Sequence, residues 1–177
     1  MSKPKLATVW LDGCSGCHMS ILDMDERLIE LSEQFELVYS PLVDHKVFPE
    51  GVDISLVEGS VSSDEDEHKI QLIRKRTKTL VSLGDCAVTG NVPSMRNAFP
   101  VDAIFKRVYE ENAAIQRQVP GEGVPKLLPH VRPVHEVVPV DVFVPGCPPS
   151  AETIYELLRE LLAGRVPNLT GTTRFGA

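Results

Sequence analysis

Every cysteine in the chain falls in one of three short stretches, and each stretch directly follows an apolar run. Asp12-Gly13-Cys14-Ser15-Gly16-Cys17-His18 follows Leu6 to Leu11, Gly84-Asp85-Cys86-Ala87 follows Leu80 to Leu83, and Pro145-Gly146-Cys147-Pro148-Pro149 follows Val140 to Val144. The runs have the length and β-branched content of strands buried on both faces of a parallel sheet. If these three strands lie side by side and run the same way, the four thiols come together. They would then converge at the carboxyl edge of the sheet, where open α/β sheets bind their ligands. Four converging thiolates point to a metal or iron–sulfur site.

The rest of the chain supplies the elements such a sheet needs. A first helix carries Ile21, Leu22, Leu28, Ile29 and Leu31 on one face and acids on the other. Further strands are predicted over Glu36 to Val43 and Asp53 to Val57. The acidic run Ser62 to Glu67 opens a helix that closes on Arg74, Lys75, Arg76 and Lys78, a distribution that suits the helix dipole. That charge run reads as a solvated helix face. Helices follow over Val101 to Asn112 and over Ala151 to Leu162, the latter capped by Ser150 and stopped by Gly164. Strands alternating with such helices give βαβ units, hence one α/β domain over residues 1–177 with a parallel sheet covered on both faces. Eight of the 14 prolines lie between Pro120 and Pro149, which predicts a long loop without a strand, functional or partner-bound. The tail from Arg165 to Ala177 has no periodicity and reads as frayed or laid on a partner.

A net charge of −7 excludes nucleic acid as a partner, since that affinity rests on clustered Lys and Arg. No apolar run has the length of a membrane span. Met1-Ser2-Lys3-Pro4-Lys5 leads straight into the first strand without a secretory apolar region or an Arg-Arg pair, so the expected location is cytoplasmic. Two disulfides are formally available, but a chain with a core of this size in a reducing compartment does not need them.

The cysteine spacing is one C-x2-C pair followed by two distant single cysteines. Structural zinc usually arrives as two short pairs, each folding locally around the ion, which leaves zinc as the second choice. A thioredoxin-like redox pair would leave Cys86 and Cys147 without a job. A [4Fe–4S] cluster needs four thiolates. Gly13, Gly16, Gly84 and Gly146 would let backbone approach its sulfides, and Pro148 after Cys147 echoes the Cys-Pro ending of ferredoxin ligand runs. His18, one residue beyond the first loop, is a candidate donor behind the ligands. His45, His68, His130 and His135 read as ordinary polar residues, and Trp10 as core packing. Glu58 ends a strand at the same edge as the cysteines, where an acid either ties a loop or takes part in chemistry such as moving protons.

These residues resemble those of the small, electron-transferring subunit of [NiFe]-hydrogenases, in particular the cytoplasmic NAD-reducing (bidirectional) type. The matching pieces are Trp10 to Ser20, Val57-Glu58-Gly59-Ser60-Val61, Gly84 to Val88 with Asn91 to Asn97, and Pro145 to Pro149, in the family's order over nearly the whole chain. The resemblance implies a flavodoxin-like, doubly wound parallel sheet with one [4Fe–4S] cluster at its carboxyl edge, held by Cys14, Cys17, Cys86 and Cys147. It implies a large partner subunit that carries the nickel–iron site, because that site uses two further C-x-x-C pairs and this sequence has one. Diaphorase subunits with iron–sulfur clusters and flavin would then receive the electrons and reduce NAD. This chain alone is not expected to split hydrogen. Relatives with a twin-arginine signal and a second cysteine-rich domain hold further clusters; here a single cluster is expected. In the homologous subunit of respiratory complex I the first two cysteines are adjacent, whereas two residues separate Cys14 from Cys17. Flavin mononucleotide is not expected, because the loop after the first strand is spent on cysteines rather than on a Ser/Thr-rich phosphate cradle. Val119 to Pro139 and Asn91 to Asn97, which flank the cysteine edge, are expected to be buried against a partner.

Overall fold

The computed structural model describes residues 2–176. In chain order the elements are β1 (Lys5–Trp10), α1 (Gly16–Leu22), α2 (Glu26–Ser32), β2 (Glu36–Tyr39), β3 (Val52–Glu58), β4 (Val61–Ser63), α3 (Asp64–Arg76), β5 (Thr77–Leu83), α4 (Asp85–Thr89), α5 (Val101–Phe105), β6 (Leu127–Arg132), β7 (Val142–Val144) and α6 (Ala151–Leu162). Side-chain alternation along the strands decides the architecture. Leu6, Ile54, Leu56, Val81 and Leu83 point to one face and bury against Ile21 of α1, Leu31 of α2 and Ile154, Leu157 and Leu158 of α6. Ala7, Val9, Val57 and Leu80 point to the other and meet Ile70 and Ile73 of α3. Strands that are apolar on both sides must be covered on both sides, and they are.

The five parallel strands lie in the order β2-β1-β3-β5-β7. Without the two short strands that pair elsewhere, this is the 2-1-3-4-5 order of flavodoxin-like sheets. Trp10 is in register with Glu58, Glu58 with Leu83, and Leu83 with Val144. Four strand ends therefore form one row, and the three cysteine loops leave the sheet at the same level.

Several elements differ from the sequence expectations. The first helix is broken into α1 and α2, because Asp25 adopts a φ of 50° that a continuous helix cannot contain. The second strand stops at Tyr39, ahead of Pro41. The helix from Val101 loosens after Phe105 into a wider π-type turn over Lys106–Glu111. The proline-rich stretch is not free of strand: β6 pairs antiparallel with β4 in a small separate ribbon. Pro129 is compatible with that ribbon because a two-stranded pair leaves half of the N–H groups unused. The acidic run that opens α3 is only partly a solvated face. Ser63 Oγ accepts the Asp66 N–H at 3.1 Å and the Asp66 carboxylate accepts the Ser63 N–H at 3.0 Å, a reciprocal cap, while Glu67 pairs with Arg132 of β6 at 2.6 Å. The described part of the tail folds back on the chain itself: the Thr153 hydroxyl donates to the Thr172 carbonyl at 3.0 Å, and the Gly176 N–H reaches Asp85 at 2.6 Å.

Candidate metal centre

Cys14, Cys17, Cys86 and Cys147 line one cavity of about 70 Å³ beyond the row of strand ends, together with Gly13, Ser15, Gly16, Glu58, Gly59, Asp85, Gly146 and Pro148. The four thiols that the sequence places on three separate loops are thus brought together, and all four are free. Cys14 and Cys147 are exposed, whereas Cys17 and Cys86 are partly buried.

The loops meet because backbone can approach backbone closely here. Asp12 and Ser60 exchange N–H···O bonds of 3.1 and 2.8 Å, tying the first loop to the turn after β3. Gly59 in that turn has φ +84°, and a Cβ there would lie 2.8 Å from the Leu11 carbonyl carbon. Gly84 also has φ +84°, and a Cβ on it would collide with Cys17 Sγ, so the second loop leaves room for the first loop's thiol only as glycine. Gly84 N–H donates to the Val144 carbonyl and Asp85 N–H to the Gly146 carbonyl, each at 2.8 Å, which fastens the second loop to the third. The third loop in turn takes the Ser20 hydroxyl of α1 on its Pro149 carbonyl at 2.5 Å.

Two buried acids complete the frame. Glu58 is 2% exposed and its Oε2 accepts the His18 N–H at 3.0 Å. Its Oε1 lies 2.8 Å from His18 Nδ1, but off the line a hydrogen bond requires, so the contact is one of proximity. Asp85 is 4% exposed; Oδ1 accepts the Gly146 N–H at 2.7 Å and Oδ2 the Gly176 N–H at 2.6 Å. Glu58 is at the edge where the sequence reading put it, and its visible work is to tie the first loop. Asp85 belongs to a motif the sequence singled out, yet its role there went unseen, since its partner loop is 61 residues further along the chain.

Burial pushes the Cys17 thiol far above its ordinary range, and the Glu58 carboxylate beside it pushes the same way. Burial also raises Cys86, helped by the neighbouring Cys147 and Cys14 sulfurs. No Lys, Arg or His lines the cavity among the described residues. Thiolates in this place therefore need a cationic occupant. The four thiols border one common space.

Other sequence candidates fall elsewhere. His18 is buried directly behind the first loop, and its Nε2 meets Thr8 Oγ1 at 2.9 Å rather than a cysteine. His45, His68, His130 and His135 are exposed. Trp10 is not core: it is 45% exposed, because the strand ends beneath it, and its indole N–H donates to the Gly13 carbonyl at 3.2 Å. The Asn91 to Asn97 loop abuts the centre, with Asn91 Nδ2 donating to Cys147 Sγ at 3.5 Å. It also grips the ribbon: Asn97 accepts the Val131 N–H at 2.7 Å and donates to the Val131 carbonyl at 2.8 Å. The segments expected to need an outside surface thus pack partly on one another.

Comparison with known proteins places the chain in a family and matches its fold. Residues 14–161 match the family described as NADH ubiquinone oxidoreductase, 20 Kd subunit. The chain is 42% identical over 171 residues to the NAD-reducing hydrogenase HoxS subunit delta of Cupriavidus necator, covering 92% of this chain and 80% of that one. It is 36% identical over 167 residues to a subunit of the F420-non-reducing hydrogenase of Methanocaldococcus jannaschii, covering 93% of this chain but only 58% of that longer protein. Its fold superposes on a chain of the NAD+-reducing [NiFe]-hydrogenase in the H2-reduced state with a TM-score of 0.94, 40% identity and 99% of both chains covered.

Proposed function

Because the chain belongs to the NADH ubiquinone oxidoreductase 20 Kd subunit family, alongside the delta subunit of NAD-reducing hydrogenase, we propose that it is the electron-transferring small subunit of an NAD-reducing [NiFe]-hydrogenase. In this reading Cys14, Cys17, Cys86 and Cys147 hold one [4Fe–4S] cluster, and the chain passes electrons between a large subunit bearing the nickel–iron site and diaphorase subunits that reduce NAD. The observation that carries it is the convergence of all four thiols on one cavity at the carboxyl edge. One C-x2-C pair with two distant single cysteines suits a cluster better than structural zinc, which usually comes as two short pairs. When bound there, the cluster supplies one-electron storage at a potential set by its surroundings.

The chain's own residues do the rest. Four thiols lose their protons and offer sulfur to the occupant, whose positive charge offsets the burial that otherwise keeps Cys17 and Cys86 protonated. Glu58 and Asp85 fix the first and third loops through backbone N–H groups. Val92, Met95, Phe99 and Val124 are exposed apolar side chains around Asn91 to Asn97 and the proline-rich stretch, and they form the face proposed to pack on a partner subunit. Among the described residues no helix is long and apolar enough to cross a membrane. A cytoplasmic setting, which keeps thiols reduced, is part of the proposal.

Iron, acid-labile sulfide and zinc analysis of the anaerobically purified chain tests the reading. Iron and sulfide in equal amounts support it; zinc without sulfide overturns it.

A further inference from the structure

A line of buried polar side chains runs behind the first cysteine loop, away from the cavity. Glu58, at the end of β3, touches the His18 ring at Nδ1. The other ring nitrogen, Nε2, lies 2.9 Å from Thr8 Oγ1 on β1. The Thr8 hydroxyl donates to Ser40 Oγ at 2.8 Å just past the end of β2, and Ser40 Oγ accepts the Leu42 N–H at 3.1 Å. Glu58 is 2% exposed, His18 3%, Ser40 3% and Thr8 5%. Polar groups in so apolar a place cost free energy unless they are paired. Here the pairing crosses three neighbouring strands and ends on the residue next to Cys17.

Packing around the His18 ring is incomplete: a crevice of about 170 Å³ lies beside it, lined by Leu6, Ile21, Phe35 and Leu56 among others. The ring is held at Nε2 by Thr8 and lies against Glu58 at Nδ1. His18 also donates its own backbone N–H to Glu58, so the carboxylate that the ring lies against also holds its backbone. A shift of the ring therefore pulls on the turn that carries Cys17.

We propose that Thr8 and Ser40 are positioning residues for the metal centre: through His18 and Glu58 they hold Cys17 in the cavity and slow the release of bound iron. This rests on the cluster reading above. Neither residue lines the cavity. General loss of a buried bond is a separate effect, and the sheet contains its own control. Ser55 Oγ and Thr77 Oγ1 form a buried bond of 2.8 Å that leads to no cysteine loop.

The test compares chains loaded with iron and sulfide, following iron release to a ferrous chelator after reduction. Thr8→Val keeps the shape and removes the hydroxyl; release is expected to quicken about tenfold, the lower end of what outer partners of metal ligands contribute. Thr8→Ser restores the hydroxyl and should release at the wild-type rate, as should Ser55→Ala. The electron paramagnetic resonance signal of the reduced centre should broaden in Thr8→Val and remain sharp in Ser55→Ala. Ser40→Ala repeats the test at the far end of the line, with a smaller acceleration expected, and decides the matter if Thr8→Val does not fold. Wild-type release from both Thr8→Val and Ser40→Ala, or equal acceleration in Ser55→Ala, overturns this inference alone. A wild-type chain that takes up no iron and sulfide overturns the cluster reading and this inference with it.

Discussion

At the amino ends of the strands, Asp53 takes the Lys78 ammonium at 2.6 Å and the Lys5 N–H at 2.8 Å, while Asp141 takes the Arg74 guanidinium at 2.6 Å and the Leu80 N–H at 2.7 Å. At the carboxyl ends of the same sheet, Glu58 and Asp85 are buried, and neither pairs with Lys or Arg among the described residues. The amino-end acids are balanced at the surface and serve the sheet. Each carboxyl-end acid gives one oxygen to the backbone in or just beyond a cysteine loop that the neighbouring strand carries. Burying an acid without a cation is costly unless several donors face it, so the arrangement makes sense where loops must be held around something else. The two carboxyl-end acids also differ from each other. Both oxygens of Asp85 accept well-aligned N–H groups, whereas one oxygen of Glu58 is left against the His18 ring without a hydrogen-bond partner.

Substitutions can break this contrast in graded ways. The largest effect is expected from Gly84→Ala, which sets a methyl group against Cys17 Sγ in a backbone conformation that L-residues avoid. Iron content should fall to background while the far-ultraviolet circular dichroism of the sheet persists. Asp85→Ala comes next: it leaves the buried Gly146 N–H without an acceptor, which costs about 2 kcal/mol. Denaturant unfolding should register that loss together with weaker iron retention. Glu58→Gln keeps shape and one carbonyl oxygen for the His18 N–H, so stability should change by less than about 1 kcal/mol with iron content intact. If Glu58 also moves protons beside the nickel–iron site, hydrogen–deuterium exchange by the assembled complex falls in this variant; unchanged exchange restricts it to tying the loop.

The smallest effect belongs to the amino end and appears as pH dependence. Lys78, with help from the Lys5 N–H, holds the Asp53 carboxyl below the ordinary carboxylate range. Burial pushes Asp141 up, but the Leu80 N–H and Arg74 outweigh it and hold that carboxyl low as well. Carboxyls depressed in the folded state stabilise it at neutral pH and lose that contribution as pH falls through their folded pKa, below about pH 4. Asp53→Asn should therefore lower stability at pH 7 by under about 1 kcal/mol and flatten the acid limb of the stability curve. An effect as large as that of Asp85→Ala would erase the contrast between the two ends.

The parts of this architecture that were legible in the sequence are those set by local pattern. Apolar runs ending in glycine or proline mark β1, β5 and β7, and the cysteines beyond them mark the site. Glu58 was visible because it ends a strand. Asp85 was not, since an acceptor for a loop 61 residues away leaves no local trace. The β4–β6 ribbon was hidden because Pro125, Pro129 and Pro133 suppress any strand reading, and three-residue β4 is too short for alternation to register. The break at Asp25 escaped because Ile21, Leu28 and Leu31 keep helical spacing across it. Trp10 was misplaced because parity along a strand says nothing about where the covering layer stops.

The central claim is that Cys14, Cys17, Cys86 and Cys147 act together on one [4Fe–4S] cluster. Iron and sulfide counts with Mössbauer spectra on wild type, Cys86→Ala and Cys147→Ala test it most directly. The account predicts about four irons and four sulfides per wild-type chain, with the four-iron spectrum lost in either variant. Full iron and sulfide in Cys86→Ala or Cys147→Ala would contradict it.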